Sequence, residues 1–361
     1  MKRRYQPAIA GARGFRWRWT YRLRHGLFDQ MTTPARPPRF VVAAAMKDEG
    51  PFIVEWVCWY RMLGFEVLIV TNDCTDHSPA LLDALQDAGW LRHAVHSPEA
   101  GEPPKRSAHR AIRGHPLVAE SDWLLICDVD EFLVLHHADT VADYLAGFDP
   151  VPLGIGIHWR CFGTAGVAAW GDGLTHRRFL RAAETGHRVN ASFKSLFRRP
   201  LAFATFGAHS PRGYSGRWGA QGQVWVDCRG KPLGNFHPNE RPQKATAPDR
   251  VRHDSAQLNH YALRSTESFS LKRGTPSASA LVDRYTPQFF DRYDRNEVQD
   301  TSALRFADAF DALHDQAMKL PGVTALHHQC CADYAAHLAT KAGLAPVDDP
   351  RYRHHLALAQ N

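Results

Sequence analysis

The chain has 361 residues, of which 44% are hydrophobic and 22% charged, an ordinary composition for a globular protein with a large buried core. No apolar stretch approaches the roughly 20 residues that a membrane-spanning helix needs, and the N-terminus lacks the apolar centre of a signal peptide. Seven cysteines with no CxxC pair and no Cys/His zinc spacing argue against a disulfide framework or a zinc module. We therefore expect a cytoplasmic protein with reduced thiols.

The net charge of +7 is concentrated at the N-terminus, where residues 1–28 hold eight Lys or Arg residues and no acid. Aromatic side chains lie between these cations, a pattern that suits the headgroups of an anionic membrane. A loosely ordered tail is the alternative interpretation. No recognisable nucleic-acid motif accompanies the charge, so nucleic acid is not an expected partner. We treat residues 1–36 as a separate basic and aromatic segment, with peripheral contact at the inner face of the membrane as one of its two possible roles.

The first half of the remaining chain alternates predicted strands with predicted helices. Hydrophobic runs predict strands at residues 40–46, 67–70, 90–95 and 123–127. Apolar periodicity and the positions of Ser, Pro and Gly predict helices at residues 51–64, 78–89 and 105–120. This alternation predicts an α/β fold with a mostly parallel, Rossmann-like central sheet flanked by helices.

The second half begins with shorter elements. Extended pieces joined by Gly-rich loops are predicted at residues 154–159, 177–180, 193–197 and 224–227, with a small antiparallel addition among them. Helices are predicted at residues 265–273, 303–319 and 324–342. We accordingly divide the chain into a catalytic domain at residues 37–275 and a C-terminal helical region at residues 276–361.

Two carboxylates follow the predicted strand at residues 123–127. Because side chains alternate along a strand, Asp128 and Asp130 should point the same way while Val129 points into the core. Ligands of open parallel sheets bind beyond the carboxyl ends of the strands, where this pair would lie. Carboxylate oxygens suit Mg²⁺ or Mn²⁺, and such an ion can neutralise the phosphates of a nucleotide leaving group.

At these residues the chain resembles the glycosyltransferase family 2-like proteins with a GT-A fold, in the bacterial branch whose first strand ends in a Lys-Asn-Glu-like triplet. Asp48 stands where Asn is more usual in that triplet. The similarity spans residues 40–274, most of the chain. The motifs that carry it are Met46-Lys47-Asp48-Glu49, Glu55-Trp56, Leu63-Gly64-Phe65, Thr71-Asn72-Asp73-Cys74-Thr75-Asp76, Asp128-Val129-Asp130-Glu131-Phe132, His260-Tyr261, Ser265, Phe269 and Lys272-Arg273-Gly274.

The resemblance implies a GT-A glycosyltransferase that uses a nucleotide-sugar donor and a divalent metal, Mn²⁺ or Mg²⁺. It implies metal ligation by Asp128, Asp130 and His260. The residues that it places at the nucleotide-sugar are Lys47, Glu49, Asn72, Asp73, Asp128, Lys272 and Arg273. A glycan or lipid-linked acceptor, in the synthesis of surface polysaccharide or another glycan, completes the expected reaction.

The catalytic base is not determined by the sequence. Direct displacement with inversion needs a carboxylate that takes the proton of the acceptor hydroxyl. The candidates are Glu131, beside the metal pair, and Asp172, in a Gly-rich segment suited to closing over substrate. Glu184 and Asp227 are further possibilities.

Two other functions remain open on the sequence. A sugar nucleotidyltransferase also combines a nucleotide-binding α/β sheet with acidic metal ligands. Such an enzyme normally has a Gly-rich phosphate loop after the first strand, whereas residues 47–52 contain a single glycine, Gly50. The other alternative is a non-catalytic glycan-binding or scaffold protein with the same fold.

Overall fold

The structure is a computed structural model that describes residues 36–240, 243–279 and 281–360. Contacts divide the chain into two units, residues 1–37 and residues 38–361, and the account below concerns the second. The prediction of membrane contact through residues 1–28 lies outside the described residues. In the described part of the chain, no helix combines the length and apolarity needed to cross a bilayer.

The described chain folds into strands and helices that alternate through its first half. The strands are β1 (Phe40–Met46), β2 (Glu66–Thr71), β3 (Arg92–Val95), β4 (Trp123–Ile126), β5 (Glu131–Leu135), β6 (Gly154–Cys161), β7 (Arg181–Ala182), β8 (Phe193–Arg198), β9 (Phe203–Phe206), β10 (Pro211–Tyr214), β11 (Trp225–Asp227), β12 (Ala256–His260) and β13 (Val298–Gln299). The helices are α1 (Gly50–Met62), α2 (Ser78–Asp87), α3 (Pro104–Gly114), α4 (Pro116–Ala119), α5 (Val141–Ala146), α6 (Thr175–Arg178), α7 (Thr266–Lys272), α8 (Pro287–Tyr293), α9 (Ala307–Met318), α10 (Val323–Lys341) and α11 (Pro350–Ala359).

The central sheet has the strand order β3-β2-β1-β4-β8-β6-β12-β5, and β11 also pairs with β6. Strands β3, β2, β1 and β4 are parallel to one another. Strand β8 is antiparallel to both of its neighbours, and β5 is antiparallel to β12. Seven of the nine strands therefore run in one direction, which confirms the predicted α/β class with a mostly parallel, Rossmann-like sheet.

The core lies on both faces of this sheet. Every residue of β1 is apolar and all but Ala45 are buried, as expected for a strand in the middle of a covered sheet. Helix α1 covers one face, where the Trp59 indole donates to the Leu133 carbonyl at 2.8 Å. Helices α9 and α10 pack on α1 in turn, with Phe310 beside Trp59 and Tyr334 beside Phe52.

Two local predictions were wrong for identifiable reasons. Residues 177–180 were predicted to be extended, but residues 175–178 form α6, whose first turn is held by the buried Glu55 carboxylate accepting from the backbone N–H groups of Thr175 and His176. The predicted helix at 105–120 is two helices, because Pro116 forces His115 into an extended conformation.

The extended pieces at residues 154–159, 193–197 and 224–227 are strands as predicted, yet they join the central sheet as β6, β8 and β11. The separate antiparallel additions are the hairpin β9–β10 and the short pair β7–β13. The predicted boundary between residues 275 and 276 stays a prediction.

Candidate functional site

A cavity of about 530 Å³ lies at the carboxyl edge of the parallel strands. Such an edge is where α/β sheets bind ligands, because the loops that leave neighbouring strands meet there. The polar residues that follow or end these strands and line the cavity are Lys47, Asp48 and Glu49 after β1, Asn72 after β2, Asp128 and Asp130 after β4, and His260 at the end of β12.

Asp128, Val129 and Asp130 form a turn between β4 and β5, where the sequence predicted a continuing strand. The Glu131 N–H donates to the Asp128 carbonyl at 3.0 Å and closes the turn. Both aspartates line the cavity, and Val129 borders it as well but is 5% exposed and packs in the core. The turn thus brings both aspartates to the cavity without a strand at these residues.

Two ammonium groups hold the Asp128 carboxylate. Its Oδ1 lies 2.5 Å from Lys105 Nζ and its Oδ2 lies 3.1 Å from Lys194 Nζ. Burial opposes ionisation of this carboxyl, but the two lysines outweigh burial and hold the pKa of Asp128 well below its usual range. Asp128 is therefore an anion whose negative charge is balanced by Lys105 and Lys194.

Asp130 faces a different set of partners. Its Oδ2 lies 3.5 Å from Lys272 Nζ, and its Oδ1 lies 3.9 Å from His260 Nε2. Burial opposes ionisation here as well, and the charges of Lys272 and His260 lower the pKa of Asp130 to about 2. Burial also lowers the pKa of His260 to about 4, so its imidazole is neutral at physiological pH.

His260 reaches this position through strand pairing. Strand β12 runs antiparallel to β5 with His260 opposite Glu131, and the Tyr261 N–H donates to the Asp130 carbonyl at 2.8 Å. The imidazole packs on the Trp159 ring with centroids 4.1 Å apart. Asp130 and His260, 130 positions apart in the sequence, are thus brought together by one ladder of backbone hydrogen bonds.

Glu131, predicted as a catalytic candidate, is fully buried beneath the cavity and does not line it. Its Oε2 lies 3.0 Å from Lys194 Nζ and accepts from the Asp128 N–H at 2.8 Å, while its Oε1 accepts from the Trp159 indole at 2.8 Å. Burial raises the pKa of Glu131 to about 7. These contacts make Glu131 a residue that positions Lys194 and the aspartate turn.

Asp172, the other catalytic candidate, lines a separate cavity of about 210 Å³. Its side chain is half exposed, and its Oδ2 lies 3.7 Å from His355 Nε2. Neither Glu184 nor Asp227 lines the main cavity, and the Asp227 carboxylate accepts from the backbone N–H groups of Arg229 and Lys231. None of these three acids is brought to the Asp128–Asp130 turn.

The residues predicted at the nucleotide-sugar divide into two groups. Lys47, Glu49, Asn72 and Lys272 line the cavity together with Asp128. The other two residues, Asp73 and Arg273, are exposed and do not line the cavity.

Glu49 shows how the cavity wall is built. Its Oε2 lies 3.1 Å from Arg264 Nη1, and the Arg264 guanidinium in turn lies 3.3 Å from the centroid of the Phe52 ring. Burial raises the pKa of Glu49 despite the nearby cation. This contact ties the loop after β1 to the segment after β12.

Four cations in the cavity lining were not singled out from the sequence: Lys105, Lys194, Arg264 and Arg284. Lys194 is 1% exposed in the buried strand β8, a position that the half-polar sequence of this strand did not indicate. Together with Lys47 and Lys272 they make six cationic side chains in the lining, against the four carboxylates of Asp48, Glu49, Asp128 and Asp130. Excess positive charge in a concave site favours an anionic ligand.

Asp130 and His260 suit a divalent cation. An ionised carboxylate and a neutral imidazole are both ligands of Mn²⁺ or Mg²⁺ type ions, and their 3.9 Å separation is within the span of two ligands on one ion with bonds of about 2.1 Å. Asp128 is less suited, because each of its oxygens already contacts an ammonium group.

Another possible ligand group lies next to this site. Among the described residues, Asp48, Cys74 and Asp76 form the group whose ligand atoms all lie within 4.8 Å of one another. Their oxygens also serve local structure, since Asp48 accepts from the Thr75 N–H and Asp76 accepts from the Ser78 hydroxyl. We attribute this cluster to the turn that starts α2.

No family model and no curated protein matches the chain. Among solved structures, the chain is similar to S. aureus TarS residues 1–349, at 12% identity and a TM-score of 0.33, over 88% of this chain and 90% of that chain. The same protein in complex with UDP gives 13% identity, a TM-score of 0.33 and the same coverage. A putative glucose-1-phosphate thymidylyltransferase from Bacillus anthracis gives 10% identity and a TM-score of 0.27, over 45% of this chain and 72% of that chain.

These scores are too low to carry a functional assignment. The class of the protein is defined by its own topology and cavity: an α/β protein with a mostly parallel sheet and a cation-rich cavity at the carboxyl edge of that sheet.

Proposed function

We propose that the protein is a glycosyltransferase that moves a sugar from a nucleotide-sugar donor to an acceptor hydroxyl. The observation that carries this proposal is the cavity at the carboxyl edge of the sheet, which, among the described residues, six cationic side chains line together with Asp128 and Asp130. Nucleotides are among the ligands that bind at such an edge, and the phosphates of a nucleoside diphosphate suit its excess of cations. The sequence resemblance to family 2-like glycosyltransferases supports the same reaction.

The lysines have donors to spare for the diphosphate. An ammonium group has three N–H donors, and Lys105 and Lys194 each use one on Asp128. Lys105 is the better placed for a ligand, since its side chain keeps 16% exposure while that of Lys194 keeps 1%. Asn72 and Lys47, after β2 and β1, lie towards the end of the cavity that we assign to the nucleoside.

Asp130 and His260 would hold the divalent cation, Mn²⁺ or Mg²⁺. A bound cation would neutralise charge on the departing nucleoside diphosphate. Lys272 already lies 3.5 Å from Asp130 and supplies positive charge at the same point. In this arrangement Asp128 orients Lys105, and Glu131 keeps Lys194 fixed beneath it.

The proposed reaction is a direct displacement with inversion, in surface polysaccharide or other glycan synthesis. Its base must touch the acceptor hydroxyl, which the carboxylates that line the cavity can do and Glu131 and Asp172, outside that lining, cannot. Glu49 is one of these, and its pKa is raised by burial.

The test is a panel of nucleotide-sugars with Mn²⁺ or Mg²⁺, scored by release of nucleoside diphosphate. Asp130→Asn should lower turnover at least about a hundredfold, since a transition-state charge contact is removed. Asp172→Asn is the matched control, because it makes the same change in the separate cavity, and it should retain activity within about twofold. Release of pyrophosphate from a nucleoside triphosphate and a sugar phosphate would instead identify a nucleotidyltransferase. Equal activity of Asp130→Asn and wild type would refute the proposed site.

A further inference from the structure

A row of aromatic side chains lines one wall of the cavity. Phe289 and Tyr293 are four residues apart on α8 and so lie on the same side of the helix, and Tyr285, just before the helix, packs on Phe289; all three line the cavity. Ring centroids are 5.4 Å apart between Tyr285 and Phe289 and 4.6 Å apart between Phe289 and Tyr293. The three rings therefore form a continuous apolar strip.

The strip is supported from behind and open in front. Phe269 of α7, which is 4% exposed, stacks on Phe289 with an interplanar angle of 9° and a centroid distance of 6.0 Å. Tyr285 and Phe289 are themselves half-buried. Rings that are fixed on one side and accessible on the other provide a pre-formed surface for a ligand.

The strip begins at the proposed reaction centre. The Tyr293 ring meets the His260 imidazole edge to face, with centroids 5.9 Å apart. Tyr293 is 9% exposed, and among the described residues no group hydrogen-bonds its hydroxyl, although the residue lines the cavity. An unpaired phenol of this kind supplies one polar contact next to the reacting groups.

The order of strands separates this wall from the nucleoside end. Asn72 follows β2, next to one edge of the sheet, whereas His260 ends β12, next to the other edge. Asp128 and Asp130 follow β4, which lies between these two strands. A donor that reaches from Asn72 to Asp130 leaves the β12 side, and with it the aromatic strip, for the second substrate.

We propose that Tyr285, Phe289 and Tyr293 bind a saccharide acceptor by stacking its sugar rings; this inference rests on the proposed glycosyltransferase function. A pyranose presents a face of C–H groups with partial positive charge, and an aromatic ring presents a face of negative charge. The Phe289 and Tyr293 rings, 4.6 Å apart and inclined by 33°, suit stacking on a sugar ring, and Tyr285, which meets Phe289 edge to face at 73°, extends the wall towards the next sugar.

The polar groups beside the strip favour a saccharide over a lipid chain as its ligand. The Arg284 guanidinium lies 5.3 Å from the Tyr285 centroid and 5.8 Å from the Phe289 centroid, and it lines the same cavity. The Tyr293 hydroxyl lies at the opposite end of the strip. Hydroxyl groups around a sugar ring can bond to both, whereas an acyl chain offers neither group a hydrogen-bond partner.

The experiment measures two affinities for each variant. Binding of maltotetraose, cellotetraose and chitotetraose at millimolar concentration is followed by ligand-observed NMR, and binding of UDP, GDP and dTDP by calorimetry. Phe289→Ala and Tyr293→Ala should weaken the tetrasaccharide that binds wild type by about tenfold each. Both should bind the nucleoside diphosphate within about twofold of wild type. Tyr293→Phe should lose less affinity for the tetrasaccharide than Tyr293→Ala, because phenylalanine keeps the aromatic ring.

Phe290→Ala is the matched control, since Phe290 is on α8 and packs on Phe269 with centroids 5.2 Å apart but does not line the cavity. It should leave both affinities unchanged. The inference is overturned if no tetrasaccharide binds wild type, if Phe290→Ala weakens the saccharide equally, or if Phe289→Ala weakens the nucleotide instead. If the strip binds saccharide while no nucleotide-sugar is turned over, saccharide binding at the strip stands, and the proposed function, with the acceptor role, falls.

Discussion

Replacement of Lys194 by Met should destabilise the protein by about 3 to 5 kcal/mol, the range for breaking a buried ion pair from one side. The Lys194 ammonium is 1% exposed and lies 3.1 Å from Asp128 Oδ2 and 3.0 Å from Glu131 Oε2. Methionine keeps most of the side-chain volume, so the change isolates the charge from the packing. Asp128 keeps Lys105, and Glu131 is left without a cation.

The loss should lie at the lower end of that range. The pKa of Glu131 is already about 7 with Lys194 present, mainly because of burial. Without Lys194 the carboxyl will take up a proton at neutral pH and so avoid an unpaired buried charge. The double variant with Glu131→Gln should consequently be more stable than the sum of the two single losses predicts, by about 1 to 3 kcal/mol.

The measurement is urea denaturation followed by tryptophan fluorescence at pH 7, with the free energy of unfolding taken from the midpoint and slope. Lys105→Met is the matched control, because Lys105 contacts the same Asp128 carboxylate but does not reach Glu131 and is partly exposed. It should cost about 1 kcal/mol or less. A loss for Lys194→Met no greater than that for Lys105→Met, or strictly additive losses in the double variant, would refute the placement of Lys194 between two carboxylates.

Two further predictions concern buried contacts away from the cavity. Burial opposes ionisation of Glu55, but hydrogen bonds and charge from His176 outweigh burial and lower the pKa of Glu55 below 4.5. Ionised Glu55 therefore stabilises the fold above pH 4.5. That stabilisation is lost as the pH falls through the lowered pKa. Glu55→Gln should lose about 2 kcal/mol at pH 7 and, in urea titrations below pH 4.5, should show a shallower decline in the free energy of unfolding than wild type. Gly154→Ala should cost about 1 to 3 kcal/mol, because a Cβ there would lie 2.4 Å from the Trp225 ring. Gly186→Ala, where a Cβ would meet nothing within 4 Å, should unfold within about 0.5 kcal/mol of wild type. Equal midpoints for the two glycine variants would contradict the close approach of the Trp225 ring to β6.

Long, strongly apolar elements were predictable from the sequence. Strand β1 has the predicted bounds because seven consecutive apolar residues between a Pro-rich link and a polar turn admit few alternatives. Helix α6 was missed because its start depends on the Glu55 carboxylate, 120 residues earlier in the chain. Helices α5 and α8, with six and seven residues, are too short for a helical period to identify them.

The site was predictable to the extent that it follows strand ends. Asp128 and Asp130 line the cavity because β4 ends two residues before Asp128, and His260 meets them because β12 pairs with β5. Lys194 and Arg264 could not be assigned from the sequence, since a lone cation in a strand or loop most often faces solvent. Their role depends on which carboxylates the fold brings next to them.

The pairing of β12 with β5 constrains how this chain can change during evolution. Since His260 is opposite Glu131 in that ladder, deleting a single residue within β12 would turn the imidazole to the other side of the sheet. Loops elsewhere can lengthen or shorten at little cost in free energy. Insertions and deletions should therefore be tolerated in the loops that join the elements but not between residues 256 and 260.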